Sequence, residues 1–462
     1  VGGTSDLAQI FRFQVVHICL MSFVLAGASR IMPEYKSQRH PMPCLCSPIP
    51  AHIVTPTGRR TQMTDTPNSP GLPRPVDRPW LALAGLTLGV MITNGFARFA
   101  YGLILPAMKS ELGWTYAQAG WLNTANALGY VVGAVLTLLL IGRIAPSRLF
   151  SFGLVATTLS LLATGYEATM GWQTFWRIAA GVFGAMSFST ASVLTARLFP
   201  GDAKRNALAI AILFGTGGGL GIMLAGASLP LMLETWGPSS WRFGWYIIGI
   251  LSVIAAPLGL WSARALHVPA SRNTAAGGLA LRRIWRELAG YAGFAMGYIV
   301  YLTFLGAWMT DQQASAGLIA GVWIILGVAL ILSPFVWRGV FARHKSGRPL
   351  AMILTGIAIG SALPVVLPAG GAVVISAVVF GLCVFMAPGA ITNFIRQNLP
   401  PESWAATMSL FTVVFAVAQT VGPFAAGAIG DATGDIGSGL LVAAAILLTG
   451  AFLAAFQKPL DP

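Results

Sequence analysis

From Trp80 to Phe456 the chain is a series of twelve apolar segments, each about as long as a transmembrane helix, separated by short polar breaks. A hydrocarbon layer about 30 Å thick needs about 20 apolar residues of α-helix to cross it. Charged residues make up only 9% of the chain, whereas soluble domains carry about a quarter. The sequence therefore predicts an all-α polytopic membrane protein surrounded by a lipid bilayer. The predicted spans are 80–106, 115–141, 147–166, 171–198, 206–233, 241–262, 287–310, 314–337, 349–368, 371–396, 404–430 and 437–456.

The longest polar break, residues 263–286, divides these spans into two groups of six. Two half-sized bundles joined by a linker are typical of transporters built from parallel repeats. Short basic breaks stand at the same place in each half, which indicates weak internal symmetry. We therefore predict two pseudo-symmetric six-helix bundles, 80–262 and 287–456, with a cytoplasmic linker at 263–286 and a tail at 457–462.

Residues 1–79 differ from the rest of the chain. They have no sustained periodicity, are rich in Pro from Pro41 onward and hold three of the four cysteines. Such a stretch cannot bury enough apolar surface to fold, so we expect a disordered extension. The cysteines indicate neither a disulfide framework nor a metal site. A short polar leader runs from Met63 into the first span, and we hypothesise that Met63 is the natural start.

The chain has a net charge of +14, and the distribution of its basic residues between the loops is informative. If the amino end is cytoplasmic, sixteen Lys and Arg residues fall in inner loops and the tail, whereas Lys109 and Arg242 fall in outer loops. This positive-inside bias predicts a multi-pass membrane protein with both termini in the cytoplasm. The basic charge is thereby explained by topology, and nucleic-acid binding is not expected.

The basic breaks also carry a motif. One copy lies at 142–148, and its counterpart in the second half lies at 338–348. Both are similar to the loop motif of the major facilitator superfamily, which has a Gly, an acidic residue and a Gly-Arg-Arg/Lys run, although the first copy lacks the acidic residue. The resemblance implies alternating access between two six-helix bundles. It also implies a gating role for the loop arginines Arg143, Arg148, Arg343 and Arg348.

Two further patterns support this resemblance. Arg177 followed by Gly181 resembles the fourth-helix pattern of the superfamily, where the Arg is linked to proton handling or cavity electrostatics. The run Gly-Phe-Ala-Arg-Phe-Ala-Tyr-Gly from Gly95 to Gly102, with Pro106 beyond it, is similar to the first helix of the YbfB/YjiJ-type bacterial permeases. No substrate is known for that branch. The resemblance therefore implies a permease of the bacterial inner (plasma) membrane without identifying what it carries.

Arg98 lies within the first span and is the strongest candidate for a functional residue. An Arg that faces lipid near mid-helix costs about 2.5–3.5 kcal/mol, so it should face the bundle interior or a wet cavity. Helical spacing puts Asn94 and Tyr101 on the same face. We predict that Arg98 lines the cavity and binds an anionic substrate. The alternative is a structural Arg that caps backbone carbonyls or pairs with a buried polar group.

Other polar residues inside the apolar spans are candidates for the same cavity. Arg177 lies at a depth similar to that of Arg98. Buried amides need partners, so the Asn pair of the second span is hard to explain by packing. The aromatic residues of the seventh span suit either substrate contact or helix packing. The predicted substrate-binding set is Asn94, Arg98, Tyr101, Asn123, Asn126, Arg177, Tyr298, Tyr301 and Gln419, with Asn393 and Gln397 as lesser candidates.

Acidic residues are absent from the middle of every predicted span. A proton-coupled carrier usually holds a protonatable group within the barrier. Asp311 and Glu287, at the two ends of the seventh span, are the candidates near the path, so proton or ion coupling stays open. Two embedded arginines without embedded acids favour an anionic small molecule as the substrate.

We predict a secondary active transporter that moves a small organic anion or polar metabolite by alternating access. The sequence has no Gly-x-x-x-x-Gly-Lys-Ser/Thr loop, so ATP does not power it directly. We expect a monomer with no cofactor, no metal and no enzymatic activity. The alternative is a multidrug or hydrophobic-compound exporter, which the aromatic seventh span and the 25 Phe residues suggest. An integral membrane enzyme or sensor is a more distant alternative, because clustered catalytic residues and large loops are missing.

Overall fold

The computed structural model describes residues 77–200, 202–266, 281–367 and 370–460, so Met63 and almost all of the predicted extension lie outside the described residues. Within them, twelve helices are long and apolar enough to cross a membrane, which confirms the predicted number. We call them span 1 to span 12. Their bounds are Pro79–Leu112, Tyr116–Leu140, Pro146–Thr164, Met170–Thr195, Lys204–Trp236, Pro238–Ala265, Arg283–Asp311, Ala316–Arg343, Arg348–Val366, Gly370–Asn398, Thr407–Thr433 and Ile436–Ala455.

Several spans are interrupted or extended relative to the sequence pattern. Span 1 consists of the α-helix Pro79–Val90, the π-helical segment Met91–Phe99 and the α-helix Tyr101–Leu112. Span 10 is divided into Gly370–Val384 and Ala387–Asn398, and span 11 belongs to the helices Pro401–Ala418 and Gly422–Thr433. The helix of span 5 begins at Ala203, and the helix of span 7 begins at Leu281. In span 6, the 3-10 turn Pro238–Ser240 precedes the helix Trp241–Ala265.

Side-chain caps fix the starts of several spans. The Thr115 hydroxyl accepts the backbone N–H of Gln118 at 3.2 Å, and the Gln118 side chain accepts the N–H of Thr115 at 2.9 Å. This reciprocal capping box satisfies two N–H groups that have no partner inside the helix. Ser315 and Asp435 cap spans 8 and 12 through single hydrogen bonds. Each cap ends a short loop, which keeps consecutive spans antiparallel.

The short breaks collect at the two ends of the bundle. We call residues 79–266 the first half and residues 281–460 the second half. The basic end carries the breaks with Arg143, Arg148, Arg343 and Arg348, and the acidic end carries the breaks with Glu111, Glu167, Asp311 and Asp435.

Glycines allow the two halves to approach closely. A Cβ atom on Gly102 would overlap the carbonyl oxygen of Leu302 on span 7. One on Gly120 would overlap the carbonyl oxygen of Pro423 on span 11. Lipid supplies no hydrophobic force between helices, so close backbone packing is one of the terms that hold them together. Spans 1 and 2 are thereby packed directly against spans 7 and 11.

Polar contacts join the halves at the acidic end. The Asp431 carboxylate of span 11 accepts the backbone N–H groups of Tyr116 and Ala117, at 2.7 and 2.8 Å. The Tyr116 hydroxyl donates to Asp311 of span 7, and Lys109 Nζ lies 4.0 Å from the centroid of the Tyr116 ring. A carboxylate at a helix N-terminus satisfies free N–H groups and complements the helix dipole. The acidic end is therefore held closed by contacts that link the two halves.

Candidate functional site

A π-helical turn in span 1 determines where Arg98 lies. The N–H of Ala100 donates to the carbonyl of Gly95 at 3.0 Å, five residues back along the chain. Gly95 packs backbone to backbone against Gly221 of span 5, since a Cβ on Gly95 would lie 2.6 Å from the Gly221 Cα. π-Helical stretches inside α-helices are rare and are frequent at functional sites.

Arg98 links the two halves of the chain. Its side chain is only 5% exposed. Its Nη2 donates to the Tyr298 hydroxyl at 2.8 Å and to Oε1 of Gln419. The Tyr298 hydroxyl also lies 3.4 Å from the same oxygen and donates to it. Three predicted site residues, from spans 1, 7 and 11, therefore form one cluster, which we call the Arg98 cluster.

Gln419 leaves one polar atom of this cluster without a partner. Its Oε1 is the atom that faces Arg98, because a guanidinium can only donate hydrogen bonds. Its Nε2 is buried and has no hydrogen-bond partner among the described residues. A buried donor without an acceptor costs about 1–3 kcal/mol. An acceptor group on a bound ligand would remove that cost.

Arg177 lies beside this cluster and is held within the first half. It is fully buried. Its Nη1 donates to the Ala97 carbonyl at 2.5 Å, and its Nη2 donates to Oδ1 of Asn123 at 3.3 Å. Its Cζ lies 4.8 Å from the centroid of the Tyr101 ring. Because Ala97 immediately precedes Arg98 in the π-helical segment, Arg177 acts as a support for the position of Arg98.

The two amides predicted on span 2 have different partners. Asn123 Nδ2 donates to the Thr303 hydroxyl of span 7. This hydrogen bond joins the halves closer to the acidic end than the Arg98 cluster does. Asn126 Nδ2 donates to the backbone carbonyl of Arg177 at 3.0 Å, which ties span 2 to span 4. The amides are thus satisfied inside the protein.

The remaining predicted residues of the set lie in different surroundings. The Tyr101 hydroxyl donates to the Ala119 carbonyl at 2.7 Å. The Tyr301 hydroxyl lies 2.7 Å from the Ser376 hydroxyl of span 10, a contact within the second half. Asn94 is half-buried, one helical turn before Arg98. Their role in substrate binding stays a prediction.

Two lesser candidates and the loop arginines lie near the basic end. Asn393 Nδ2 and Gln397 Nε2 donate to the Phe341 carbonyl at 3.1 and 3.2 Å, and so they cap the carboxyl end of span 8. The ion pair found in the described residues is Arg205–Asp202. The predicted gating arginines are exposed, and their gating role stays a prediction. They are Arg143, Arg148, Arg343 and Arg348.

Neither buried guanidinium has a counter-ion in the part of the chain that the structure describes. Arg98 and Arg177 are compensated by neutral oxygen atoms and aromatic rings instead. A buried charge is costly unless it is paired and hydrogen-bonded. The site therefore holds two buried positive charges that neutral oxygen atoms and aromatic rings compensate.

Glu287 lies deeper in the protein than the sequence indicated. The helix of span 7 begins at Leu281 rather than at residue 287, so Glu287 lies in its second turn. The residue is 1% exposed, and its Oε2 has no hydrogen-bond partner among the described residues. A Cβ on Gly347, at the start of span 9, would lie 2.5 Å from that oxygen. Glu287 is thus a buried carboxyl near the basic end.

Some contributors to the site were absent from the predicted set. Tyr130 lies under the Arg98 guanidinium, with 5.0 Å between Cζ and the ring centroid. Its spacing of seven residues from Asn123 places it on the same face of span 2 as that residue. Thr303 and Trp245, which contacts Arg177 at 5.6 Å, carry no comparable signal in the sequence.

The sequence matches one transporter family and several bacterial proteins. The family described as "Uncharacterised MFS-type transporter YbfB" matches residues 90–455. A chloramphenicol resistance protein of Streptomyces lividans is 30% identical over 386 residues, which cover 77% of this chain and 92% of that protein. The uncharacterised MFS-type transporter YceJ of Bacillus subtilis is 22% identical over 363 residues, which cover 76% of this chain and 90% of that protein.

Solved structures have the same fold. The nucleoside transporter NupG has a TM-score of 0.62 and 14% identity, and the match covers 82% of this chain and 99% of that chain. A bacterial homologue of the human lysosomal transporter Spinster, in an inward-facing and unoccupied conformation, has a TM-score of 0.56 and 18% identity over 82% of this chain and 95% of that chain. These likenesses confirm the predicted fold of twelve helices in two six-helix bundles. Together with the family match over residues 90–455, they establish that this chain belongs to the major facilitator superfamily of transporters, within the YbfB-type family.

Proposed function

We propose that this chain is a secondary active transporter that moves a small organic anion or an anionic polar metabolite by alternating access. The observation that carries the proposal is Arg98. Its guanidinium is buried between the halves, is hydrogen-bonded to spans 7 and 11, and has no carboxylate partner among the described residues.

Charge balance favours an anion at this place. A cationic substrate would meet two buried guanidiniums, whereas an anion would compensate them in surroundings where water screens poorly. Carboxylate and phosphate groups match the planar donor geometry of Arg. The unpartnered Nε2 of Gln419 supplies a further donor beside Arg98. Each of these features favours a ligand that presents two or more acceptor oxygens.

The position of the cluster suits alternating access. The Arg98 contacts cross between the halves, so a movement of one half against the other would break or remake them. The halves are also joined at the acidic end through Asp431. The positive-inside bias supports a basic end that faces the cytoplasm, with both termini there, in a bacterial inner membrane. The described conformation is then closed to the outside.

Proton or ion coupling and a monomeric state belong to the same proposal. Glu287 is the first candidate for a proton-binding group, since it is buried with one carboxyl oxygen unpartnered. Asp311 is the second, at the acidic end, where it accepts a hydrogen bond from Tyr116.

A thermal-stability screen of the detergent-purified protein tests the anion assignment. The panel contains organic acids, sugars, amino acids and cationic drugs, and the variants are Arg98→Met and Arg98→Lys. A ligand at 100 times its dissociation constant stabilises the native state by about 2.7 kcal/mol. We expect organic acids to stabilise the parent. We expect Arg98→Met to bind them at least about tenfold more weakly, because a hydrogen bond to a charged group contributes about 1.5–3 kcal/mol.

Arg197→Met is the matched control, because Arg197 is exposed at the basic end and lies outside the cluster. It should bind the acids as the parent does, and Arg98→Lys should keep part of the affinity. Equal stabilisation of the parent and Arg98→Met by neutral or cationic compounds would contradict the proposal. That result would favour a multidrug exporter, the function that the name of the chloramphenicol resistance protein suggests for the relative.

A further inference from the structure

A row of aromatic rings leads away from Arg98 in the first half. It consists of Tyr130, Phe188 and Phe214, on spans 2, 4 and 5, and we call it the first-half row. Successive ring centroids are 6.2 and 4.6 Å apart. The Arg98 Cζ lies 5.0 Å from the Tyr130 centroid. The guanidinium therefore stands at one end of this row.

A second row leads away from Arg98 in the second half. It consists of Tyr298, Phe294 and Phe415, on spans 7 and 11, and we call it the second-half row. Their ring centroids are separated by 4.7 to 5.8 Å. The Arg98 Cζ lies 6.0 Å from the Tyr298 centroid. Both rows thus end at the same cation.

Helical spacing turns the two rows toward each other. Tyr130 follows Asn123 by seven residues, about two turns, and Asn123 contacts the second half. Phe415 precedes Gln419 by four residues, about one turn, and Gln419 contacts the first half. Residues at these spacings share a helix face. The rows therefore lie on the faces that the two halves present to each other.

Both rows lie on the basic side of Arg98. Arg98 is nineteen residues from the start of span 1 at the basic end, whereas Phe188 is seven residues and Phe214 ten residues from the basic ends of their spans. Tyr130, Phe188, Phe214 and Phe415 are only half-buried. Among the described residues, no ring of one row is paired with a ring of the other. The rows therefore approach the guanidinium from the two halves without stacking on each other.

We propose that the transported anion is a carboxylate with an aromatic body, which places its carboxylate on Arg98 and Gln419 and its ring between the two aromatic rows. This inference rests on the proposed function and narrows its substrate class. One carboxylate oxygen accepts from Arg98, and the other accepts from the unpartnered Nε2 of Gln419. The apolar body then contacts rings in the offset or edge-to-face arrangements that aromatic pairs prefer. A hydroxy acid or a sugar acid would lose water along these rows without gaining equivalent hydrogen bonds.

Direct binding measurements with purified full-length protein test this. The acids are benzoate, phenylacetate and 1-naphthoate, compared with lactate, succinate and cyclohexanecarboxylate, and benzamide serves as the neutral aromatic compound. We expect the aromatic acids to bind the parent at least about tenfold more tightly than lactate or succinate. We expect Phe188→Leu and Phe415→Leu to weaken binding of the aromatic acids by about three- to tenfold more than they weaken binding of lactate.

Phe452→Leu is the matched control, because Phe452 is 64% exposed on span 12 and lies outside both rows. It should bind every compound as the parent does. Lactate or succinate binding that equals benzoate binding, needs Arg98 and ignores both Phe variants would overturn the aromatic assignment while the anion carrier stands. Benzamide binding that equals benzoate binding and survives Arg98→Met would overturn both proposals. Failure of all three aromatic acids to bind would also overturn the aromatic assignment.

Discussion

Asp431→Ala should open the acidic end in a large share of the molecules. In the parent, the Asp431 carboxylate accepts two backbone N–H groups at the start of span 2, so one side chain holds the two halves together. A hydrogen bond to a charged group contributes about 1.5–3 kcal/mol. Loss of both bonds at the lower value removes about 3 kcal/mol, which is roughly a hundredfold change in an equilibrium constant. A parent with about one open molecule in a hundred would approach equal populations.

The distance across the acidic end measures this change. Glu111 and Gln312 are exposed there, at the ends of spans 1 and 7, and Cys substitutions at both sites can carry spin labels. Double electron–electron resonance then gives the distribution of distances between the spin labels at the two sites. We expect a longer distance to gain population in Asp431→Ala. Asp431→Asn should fall between the parent and Asp431→Ala, because it keeps one acceptor oxygen and loses the charge.

Asp435→Ala separates gating from ordinary capping. The Asp435 carboxylate accepts the N–H of Gly437 at 2.8 Å, entirely within the second half. Its removal should lower stability by about 0.5–2 kcal/mol, as for other N-caps, without changing the distance across the acidic end. If Asp431→Ala also leaves the distance distribution unchanged, Asp431 is a local cap and the closing contact lies elsewhere, with Tyr116 and Asp311 as the next pair to test.

The spans were predictable because the bilayer fixes their length and polarity. Hydropathy does not depend on whether a backbone N–H bonds four or five residues back, however. The hydropathy pattern therefore does not reveal the π-helical segment Met91–Phe99. It also missed the interruption between Val384 and Ala387. The sequence predicts the start of span 7 at residue 287, directly after the basic residues of the linker, whereas the helix continues through those basic residues to Leu281.

The sequence could predict individual residues of the site, but it could not predict which of them contact each other. Arg98 stood out because a charge inside a span must find an interior position. The sequence indicates Tyr298 through the aromatic stripe of span 7 and Gln419 as a polar residue of an apolar span. Their shared contact with Arg98 depends on packing between residues 200 and 321 positions apart. Backbone acceptors such as the Ala97 carbonyl have no signature in a sequence. The structure was therefore needed to show that Arg98 joins the two halves, whereas Arg177 supports the backbone next to Arg98.

Gly95→Ala should destabilise the protein and abolish Arg98-dependent ligand binding. A Cβ on Gly95 would lie 2.6 Å from the Cα of Gly221, and no rotamer change can relieve a contact between backbone-bound atoms. Overpacking of this kind costs about 1–3 kcal/mol. Spans 1 and 5 must separate, or the π-helical turn must shift, and either change moves Arg98 away from Tyr298 and Gln419. Thermal unfolding with and without an organic acid measures both effects.

Gly171→Ala is the matched control, since it makes the same chemical change where a Cβ would meet no atom within 4 Å. It should be neutral or slightly stabilising, because Ala is preferred to Gly in helices by about 1 kcal/mol. Gly95→Val adds two methyl groups at the clash and should unfold at a lower temperature than Gly95→Ala. If Gly95→Ala keeps the stability and the acid-induced shift of the parent, close packing of spans 1 and 5 does not position Arg98. The placement of the guanidinium would then depend on its contacts with Tyr298 and Gln419 alone, and Gln419→Leu would become the variant that loses it.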